Sequence, residues 1–372
     1  MDFALNEEQE AVRRLFREFS DNEIGPQASD LDRNPRFPSE LFSAVGDLGF
    51  FGMRYPEPLG GGADTLSYLL AVEELAHGSL AVAAACSMQS LMGTFFVHRF
   101  AEGDVRERLV EPALRGEIIG TICMTEPDAG SDLFAMTTSA EEGDGAWLIS
   151  GQKTWITSAP VADMFTVFAR TGDRELSIFL VEKGAPGLTV GRSIDKMGVK
   201  ASLTSEVFFD KTPATAMLGH RGEGIASLRE ILAEIRLMTA ALALGVAAAA
   251  FEDALAYSQE RVQFGKAISE FQSIQIHLAE MRTKLEAARH LTYWAAWRAE
   301  RGLENADQAA MAKLFASEVA LEVCDRAARV MASYGYASEF AVERYLRDVR
   351  FTLIGGGTSE ILRLNIARGL TR

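Results

Sequence analysis

The sequence predicts an α+β multidomain chain with an N-terminal helical domain, a middle antiparallel β-barrel or sandwich, and a C-terminal domain like a four-helix bundle. Helical periodicity runs from about residue 6 to 115, β-branched runs broken by Gly, Asp and Pro fill 120–210, and helix returns from Gly224. A chain of 372 residues is long enough for two or three domains. We place them at residues 1–119, 120–222 and 223–372.

The N-terminal domain begins with an amphipathic helix. Apolar residues recur there with the i, i+3, i+4, i+7 spacing of one helix face, at Val12, Leu15, Phe16 and Phe19. Prolines and the stretch from Tyr55 to Gly62 separate the helices that follow. Two of those helices, Thr65 to Leu80 and Ala81 to Phe100, are almost entirely apolar and are predicted to be buried.

The middle and C-terminal domains differ in texture. Strands are predicted at Met164–Arg170, Leu176–Glu182, Leu188–Val190 and Glu206–Phe209, and a turn is predicted at residues 143–145. An alanine-rich run from Thr239 to Ala256 suits close packing between helices.

Composition limits the classes of function. The net charge is −15, from 37 basic and 52 acidic side chains, which disfavours nonspecific binding to nucleic acid or anionic membranes. Three separated cysteines form neither a disulfide framework nor a metal pattern, and no signal peptide or membrane span of about 18 residues stands out. We therefore expect a cytoplasmic protein without a metal.

Two segments of the middle domain indicate a ligand. A β-branched run leads into Thr-Glu-Pro and a small-residue loop at 121–132, and a second strand at 147–158 ends in Trp-Ile-Thr. Their backbone and hydroxyl groups can bond the edge of a flat aromatic ligand while the Trp155 indole covers its face. Taken singly, Thr125, Ser131 and Thr157 could equally cap turns, and Trp155 could fill a core.

Together these segments resemble the flavin-binding middle domain of the acyl-CoA dehydrogenase family, and the helix, β, helix order matches that family along the whole chain. The resemblance implies an FAD cofactor. It assigns six residues to the flavin: Ile122, Met124, Thr125, Ser131, Trp155 and Thr157.

Three further segments carry the rest of the FAD prediction. The run Arg261 to Lys266, followed by Gln272, has a guanidinium and amides near a helix end that can bind a pyrophosphate. Arg329 stands where the family usually has Gln, and Thr358 and Glu360 follow three glycines. The resemblance assigns Arg261, Gln263, Phe264, Gln272 and Arg329 to the dinucleotide, with the first segment reaching a neighbouring chain, which implies a dimer or tetramer. It places Thr358 and Glu360 at the adenosine half.

The catalytic base of the family is missing. Removal of the α-proton of an acyl thioester needs a carboxylate beside the flavin, and the two family positions for that Glu hold Gly356 and Ile235 here. Glu234 is one residue early, about 100° away around the helix, and is our candidate base. Ser131, Arg236 and Gly356 are the candidate substrate contacts.

Three hypotheses remain open. The first is an α,β-dehydrogenase of acyl-CoA or carrier-protein-bound acyl groups in fatty acid metabolism (EC 1.3), using Glu234 or another carboxylate and an acceptor such as an electron-transfer flavoprotein. The second is a flavoenzyme with altered chemistry, desulfinase-like or monooxygenase-like. The third is a flavin-binding, non-catalytic subunit of a hetero-oligomer.

Overall fold

The computed structural model describes residues 4–143 and 145–371. Asp144, at the centre of the predicted turn, lies outside these residues. The strands on either side of it, Ser139–Glu142 and Trp147–Thr157, pair antiparallel, as a hairpin requires.

The N-terminal part is entirely helical. The first helix begins with a reciprocal capping box, in which the backbone N of Gln9 donates to Asn6 Oδ1 and Asn6 N donates to Gln9 Oε1. The predicted helix over 81–100 is divided by a π-helical segment at Met88–Gly93. The seven α-helices of this part are α1 (Glu7–Phe19), α2 (Gly25–Arg33), α3 (Ser39–Asp47), α4 (Thr65–Gly78), α5 (Leu80–Ser87), α6 (Thr94–Phe100) and α7 (Gly103–Leu114).

The middle part is a sheet of eight strands. Seven strands follow one another in the order β6-β7-β3-β2-β4-β5-β8, and β1 pairs with β4. Most pairs are antiparallel, as predicted, but β1 runs parallel to β4 and a single bridge joins β2 to β4 in parallel. The strands are β1 (Gly120–Cys123), β2 (Ser139–Glu142), β3 (Trp147–Thr157), β4 (Met164–Gly172), β5 (Glu175–Glu182), β6 (Leu188–Ser193), β7 (Thr204–Pro213) and β8 (Ala216–Leu218).

Alternation along β4 divides the interior into two cores. Met164 and Phe168 pack into the large core shared with the helices, whereas Phe165 and Val167 pack into a smaller core within the sheet. Successive side chains of a strand point to opposite faces, so one strand serves both cores.

The C-terminal part is built around one long helix, α8 (Gly224–Glu260), which is buried through the predicted alanine-rich run. A Cβ at Gly245 would lie 2.1 Å from the carbonyl oxygen of Glu73, so only glycine allows α4 to approach this closely. The remaining elements are β9 (Val262–Gln263), β10 (Lys266–Ala267), α9 (Gln272–Glu300), α10 (Ala306–Met331), α11 (Ala341–Asp348) and α12 (Ser359–Leu370).

Two helical stretches correct the expectation that no membrane-span candidate stands out. Leu80–Phe100 and Gly224–Glu260 are long and apolar enough to cross a membrane, but 89% and 83% of their most apolar windows are buried inside the protein. They are core helices of this fold by that measure.

The three cysteines lie inside the fold. Cys86, Cys123 and Cys324 are buried and free, and burial raises the thiol pKa of all three. Within residues 4–143 and 145–371, no group of three or more His, Cys, Asp or Glu side chains could hold a metal ion.

Candidate active site

The indole of Trp155 lies uncovered on the wall predicted to hold a flat ligand. Trp155 has a φ of +59° and is 57% exposed. The pairing of β3 with β7 is irregular there, with a register shift between Lys153 and Ile156. This bulge turns the ring out of the sheet while Ile156 returns to the core, which leaves an aromatic face free for a ligand.

The two predicted flavin segments are neighbours in space. The backbone N of Thr154 donates to the Thr125 carbonyl at 2.9 Å, and Thr121 Oγ1 donates to the Thr157 carbonyl at 2.6 Å. Ser131 lies in the exposed loop that follows β1. The structure therefore joins at one wall the predicted residues Ile122, Met124, Thr125, Trp155 and Thr157.

A buried ion pair holds this wall together. Lys153 Nζ donates to Glu126 Oε1 at 2.9 Å and to the Met124 carbonyl at 3.2 Å. Glu126 also accepts from the backbone N of Thr137 and Thr138 at 2.6 and 2.9 Å. Burial alone would raise the pKa of Glu126, but the Lys153 ammonium and these N–H groups lower it to about 2. The pair therefore stays charged and fixes the carbonyl edge of the wall.

The two family positions for the base face each other across a narrow gap. A Cβ built on Gly356 would lie 2.9 Å from Thr239 Oγ1 and 3.7 Å from Ile235 Cγ2. Thr239 Oγ1 donates to the Ile235 carbonyl at 2.8 Å, so this hydroxyl proton is already used. The gap is lined by the Ile235 methyl group and by Cβ and the hydroxyl oxygen of Thr239, and neither Ile235 nor Gly356 supplies a carboxylate.

Glu234 is paired with a cation from the N-terminal domain. Its carboxylate accepts a hydrogen bond from Arg54, whose guanidinium lies over the rings of Tyr55 at 5.1 Å and Phe95 at 6.0 Å. The Arg54 side chain is 12% exposed and that of Glu234 is 38% exposed. Burial alone would lower the pKa of Arg54, but the Glu234 carboxylate outweighs that effect and the pKa is raised. Glu234 is thus engaged, and its role as base stays a prediction.

Arg236 points toward the start of α10. Its Nη1 donates to the Ala306 carbonyl at 3.3 Å, and its Nε has no hydrogen-bond partner among the described residues. Burial lowers the pKa of Arg236, against the attraction of Asp307. The contact with substrate predicted for Arg236 stays a prediction.

The glycine loop is held from behind by a lysine. Lys313 is fully buried on α10 and donates to the Gly357 carbonyl at 2.6 Å, and burial lowers its pKa to about 8. Thr358 caps α12 by accepting from the backbone N of Ile361 at 3.3 Å. Glu360, on the first turn of α12, is exposed and lies 3.8 Å from Arg363.

The segment predicted to reach a neighbouring chain is a protruding hairpin. Phe264 and Gly265 have φ of +51° and +79°, the signs of a type I′ turn, between β9 and β10. Phe264 is 94% exposed, and Arg261 lies 5.7 Å over the Tyr334 ring. In the described part of the chain, no hydrogen bond or ring contact joins this hairpin to β1 or β3. The four residues predicted here, Arg261, Gln263, Phe264 and Gln272, are all exposed.

Arg329 is also exposed, and its Nε lies 2.8 Å from a carboxylate oxygen of Asp325. This exposed pair is weak enough to exchange for a stronger anion such as a phosphate.

Arg54 and Lys313 were missed by sequence reasoning. Arg54 had a signal, since it is the one charged residue in the otherwise apolar stretch Phe50–Tyr55, whereas Lys313 resembles any helix-surface lysine.

The comparisons with known proteins cover the whole chain. Sequence profiles of the acyl-CoA dehydrogenase N-terminal, middle and C-terminal domains match residues 6–117, 121–212 and 222–371. The chain is 57% identical over 373 residues to benzylmalonyl-CoA dehydrogenase of Aromatoleum aromaticum, with 99% of both chains covered.

Two solved structures have the same fold. Butyryl-CoA dehydrogenase from Megasphaera elsdenii superimposes with a TM-score of 0.96 at 36% identity, covering 100% of both chains. An FAD complex of PigA superimposes with a TM-score of 0.95 at 29% identity, covering 100% of this chain and 99% of that one.

Fold and site together define a class of protein, the FAD-dependent oxidoreductases that act on acyl thioesters by α,β-dehydrogenation. Within that class, the chain belongs to the acyl-CoA dehydrogenase family. That both base positions lack the family Glu stays a prediction.

Proposed function

We propose that this enzyme oxidises a 2-substituted malonyl thioester, such as 2-benzylmalonyl-CoA, and that loss of CO2 replaces removal of the α-proton. The observation that carries the proposal is the gap between Ile235 and Gly356, where neither residue supplies a carboxylate. The similarity to a benzylmalonyl-CoA dehydrogenase supports the substrate class, because a malonyl thioester carries a carboxylate on its α-carbon.

The chemistry balances without a base. Breaking the bond between the α-carbon and its carboxylate releases CO2 and leaves the electron pair on the α-carbon, next to the thioester carbonyl. FAD, when bound, would supply the acceptor for the β-hydrogen as hydride. The electron pair then forms the α,β double bond, so the anionic substrate gives CO2, an enoyl thioester and reduced flavin, and no proton has to leave the substrate.

The gap would solvate such a carboxylate poorly. Glycine at 356 places no side chain on its side of the gap, and the Ile235 methyl beside it withholds hydration. A poorly solvated carboxylate is raised in energy relative to neutral CO2. A Glu at either position would repel the substrate carboxylate and would have no α-proton role to fill.

The residues fit the cofactor. The uncovered indole and the paired strands support a flavin site at Ile122, Met124, Thr125, Ser131, Trp155 and Thr157. Thr358 and Glu360 would hold the adenosine half. The protruding hairpin supports a shared site in which Arg261, Gln263, Phe264 and Gln272, with Arg329, bind the dinucleotide of a neighbouring copy. The enzyme would then be a homodimer or homotetramer of the cytoplasm that passes electrons to an electron-transfer flavoprotein.

The direct test uses the purified holoenzyme without oxygen. 2-Benzylmalonyl-CoA labelled in its free carboxyl group should bleach the flavin and release one labelled CO2 per flavin reduced. The matched control is 3-phenylpropionyl-CoA, which lacks only that carboxylate and should bleach the flavin at least about 100-fold more slowly, because no base is in place. Comparable bleaching by both thioesters, lost in Glu234→Gln, would instead establish Glu234 as the base.

A further inference from the structure

We propose that Arg54 determines substrate specificity by neutralising Glu234, the carboxylate next to the empty base position. The inference rests on the proposed function. It explains how a site for a carboxylated substrate tolerates Glu234, the residue directly before Ile235. Arg54 acts through Glu234 in this role and has no contact with the reacting atoms.

Glu234 is the chain neighbour of a residue that lines the gap. It adjoins Ile235 on α8, and Ile235 Cγ2 is the atom 3.7 Å from the built Cβ of Gly356. One residue corresponds to about 100° of helix rotation, which a flexible Glu side chain can partly recover by changing rotamer. A free Glu234 could therefore turn toward the gap.

Arg54 is held where it prevents this rotation. Its guanidinium lies over two aromatic rings, those of Tyr55 and Phe95, while it donates to the Glu234 carboxylate. Tyr55 is itself fixed, because its hydroxyl donates to the Ser90 carbonyl at 3.0 Å. A buried cation stacked in this way does not leave its partner readily.

A second ion pair, between Arg99 on α6 and Glu230 on α8, serves for comparison because it is exposed. Arg99 Nε lies 3.1 Å from Glu230, one turn before Glu234, but these side chains are 54% and 43% exposed. Solvent screens such a pair, and its charge has little effect on a bound ligand. Arg99→Met is therefore the matched control for Arg54→Met.

Loss of Arg54 should have two effects, both passing through Glu234. The unpaired carboxylate should repel the α-carboxylate of the substrate and raise the KM for 2-benzylmalonyl-CoA about 10-fold or more. The same carboxylate should become available as a base, so that 3-phenylpropionyl-CoA bleaches the flavin at least about 10-fold faster than in the wild type.

The experiment compares four holoenzymes: wild type, Arg54→Met, Arg54→Met/Glu234→Gln and Arg99→Met. We expect both changes in Arg54→Met, neither in Arg99→Met, and a return to within about threefold of wild type in the double variant, where the pair is neutral again. Flavin content and thermal unfolding are measured for each, and Arg54→Gln replaces Arg54→Met if the latter does not fold.

Two results would overturn the proposal. An equal rise in KM with and without Glu234 would mean that Arg54 binds the substrate carboxylate directly, and an unchanged KM in Arg54→Met would mean that the pair is only structural. Release of CO2 by the wild type is scored separately. If the wild type releases no CO2, the proposed function is refuted. Glu234-dependent oxidation of 3-phenylpropionyl-CoA by Arg54→Met can still be measured in that case.

Discussion

At the scale of single residues, the site is defined by two positions that carry no carboxylate and by one neighbouring carboxylate that is already paired. Ile235 and Gly356 form the gap, and Glu234 is turned to Arg54 by one step along α8. The difference between a base and a spectator is thus about 100° of helix rotation. In the proposed reaction, the same three positions decide whether a proton or CO2 leaves the α-carbon.

Replacing Ile235 by Glu should convert the reaction. The new carboxylate would point into the gap, so oxidation of 3-phenylpropionyl-CoA should rise about 100-fold, the usual contribution of a general base. The kcat/KM for 2-benzylmalonyl-CoA should fall about 10-fold or more by charge repulsion. Stopped-flow flavin bleaching measures both rates.

The isosteric control is Ile235→Gln. It fills the gap without a charge and should lower activity toward both thioesters. If Ile235→Glu and Ile235→Gln behave alike, the gap holds no reacting carbon and the proposed position of the substrate is wrong.

At the scale of elements, the proposed flavin wall depends on two segments joined by a buried ion pair. Lys153 on β3 and Glu126 in the loop after β1 are 0% and 3% exposed, and the pair also holds the Met124 carbonyl. Breaking a buried pair leaves an uncompensated charge, which costs far more than losing an exposed one.

Glu126→Gln should destabilise the protein in a pH-dependent way. Because the folded pKa of Glu126, about 2, lies below its usual value of 4.5, its ionisation adds stability above about pH 4.5 that is lost as the pH falls toward 2. The shift corresponds to about 3 kcal/mol. Urea unfolding at several pH values should show that the difference in unfolding free energy between wild type and variant becomes smaller below pH 4.5.

The neutral pair Glu126→Gln/Lys153→Met separates charge from packing. The double variant should recover most of the unfolding free energy lost in Glu126→Gln, because no unpaired ammonium remains. A difference in unfolding free energy between wild type and Glu126→Gln that stays the same from pH 6 to pH 3 would contradict the assigned pKa.

At the scale of the whole molecule, the N-terminal, middle and C-terminal parts meet at Arg347 on α11. Its guanidinium bonds both carboxylate oxygens of Asp32 on α2 at 2.9 and 2.6 Å, and it donates to the Met197 carbonyl beyond β6 at 3.0 Å. Beside it, buried Asp348 accepts from Val199 N at 2.6 Å. These contacts tie the loop between β6 and β7 to both helical parts.

Arg347→Met should lower the free energy of unfolding by about 2–4 kcal/mol, because it leaves Asp32 and Glu343 largely without a counter-charge in a poorly exposed junction. The control is Arg363→Met, which breaks an exposed pair with Glu318 and should cost less than about 1 kcal/mol. Urea midpoints compare the two, and equal losses would show that Arg347 has no special role.

By itself, the sequence determined the order of helical and β regions, the buried helices and the family. Those features depend on local periodicity and on motifs whose residues are close in the chain. The flavin segments and the two positions without a base stay predictions. Domain boundaries and individual cofactor contacts stay predictions. Only the tertiary structure decided that β1 runs parallel to β4, that Gly356 faces Ile235, and that Glu234 pairs with Arg54. The physical reason is that each of these pairs residues far apart in the chain, and local patterns carry no record of which distant charge or backbone a side chain will meet.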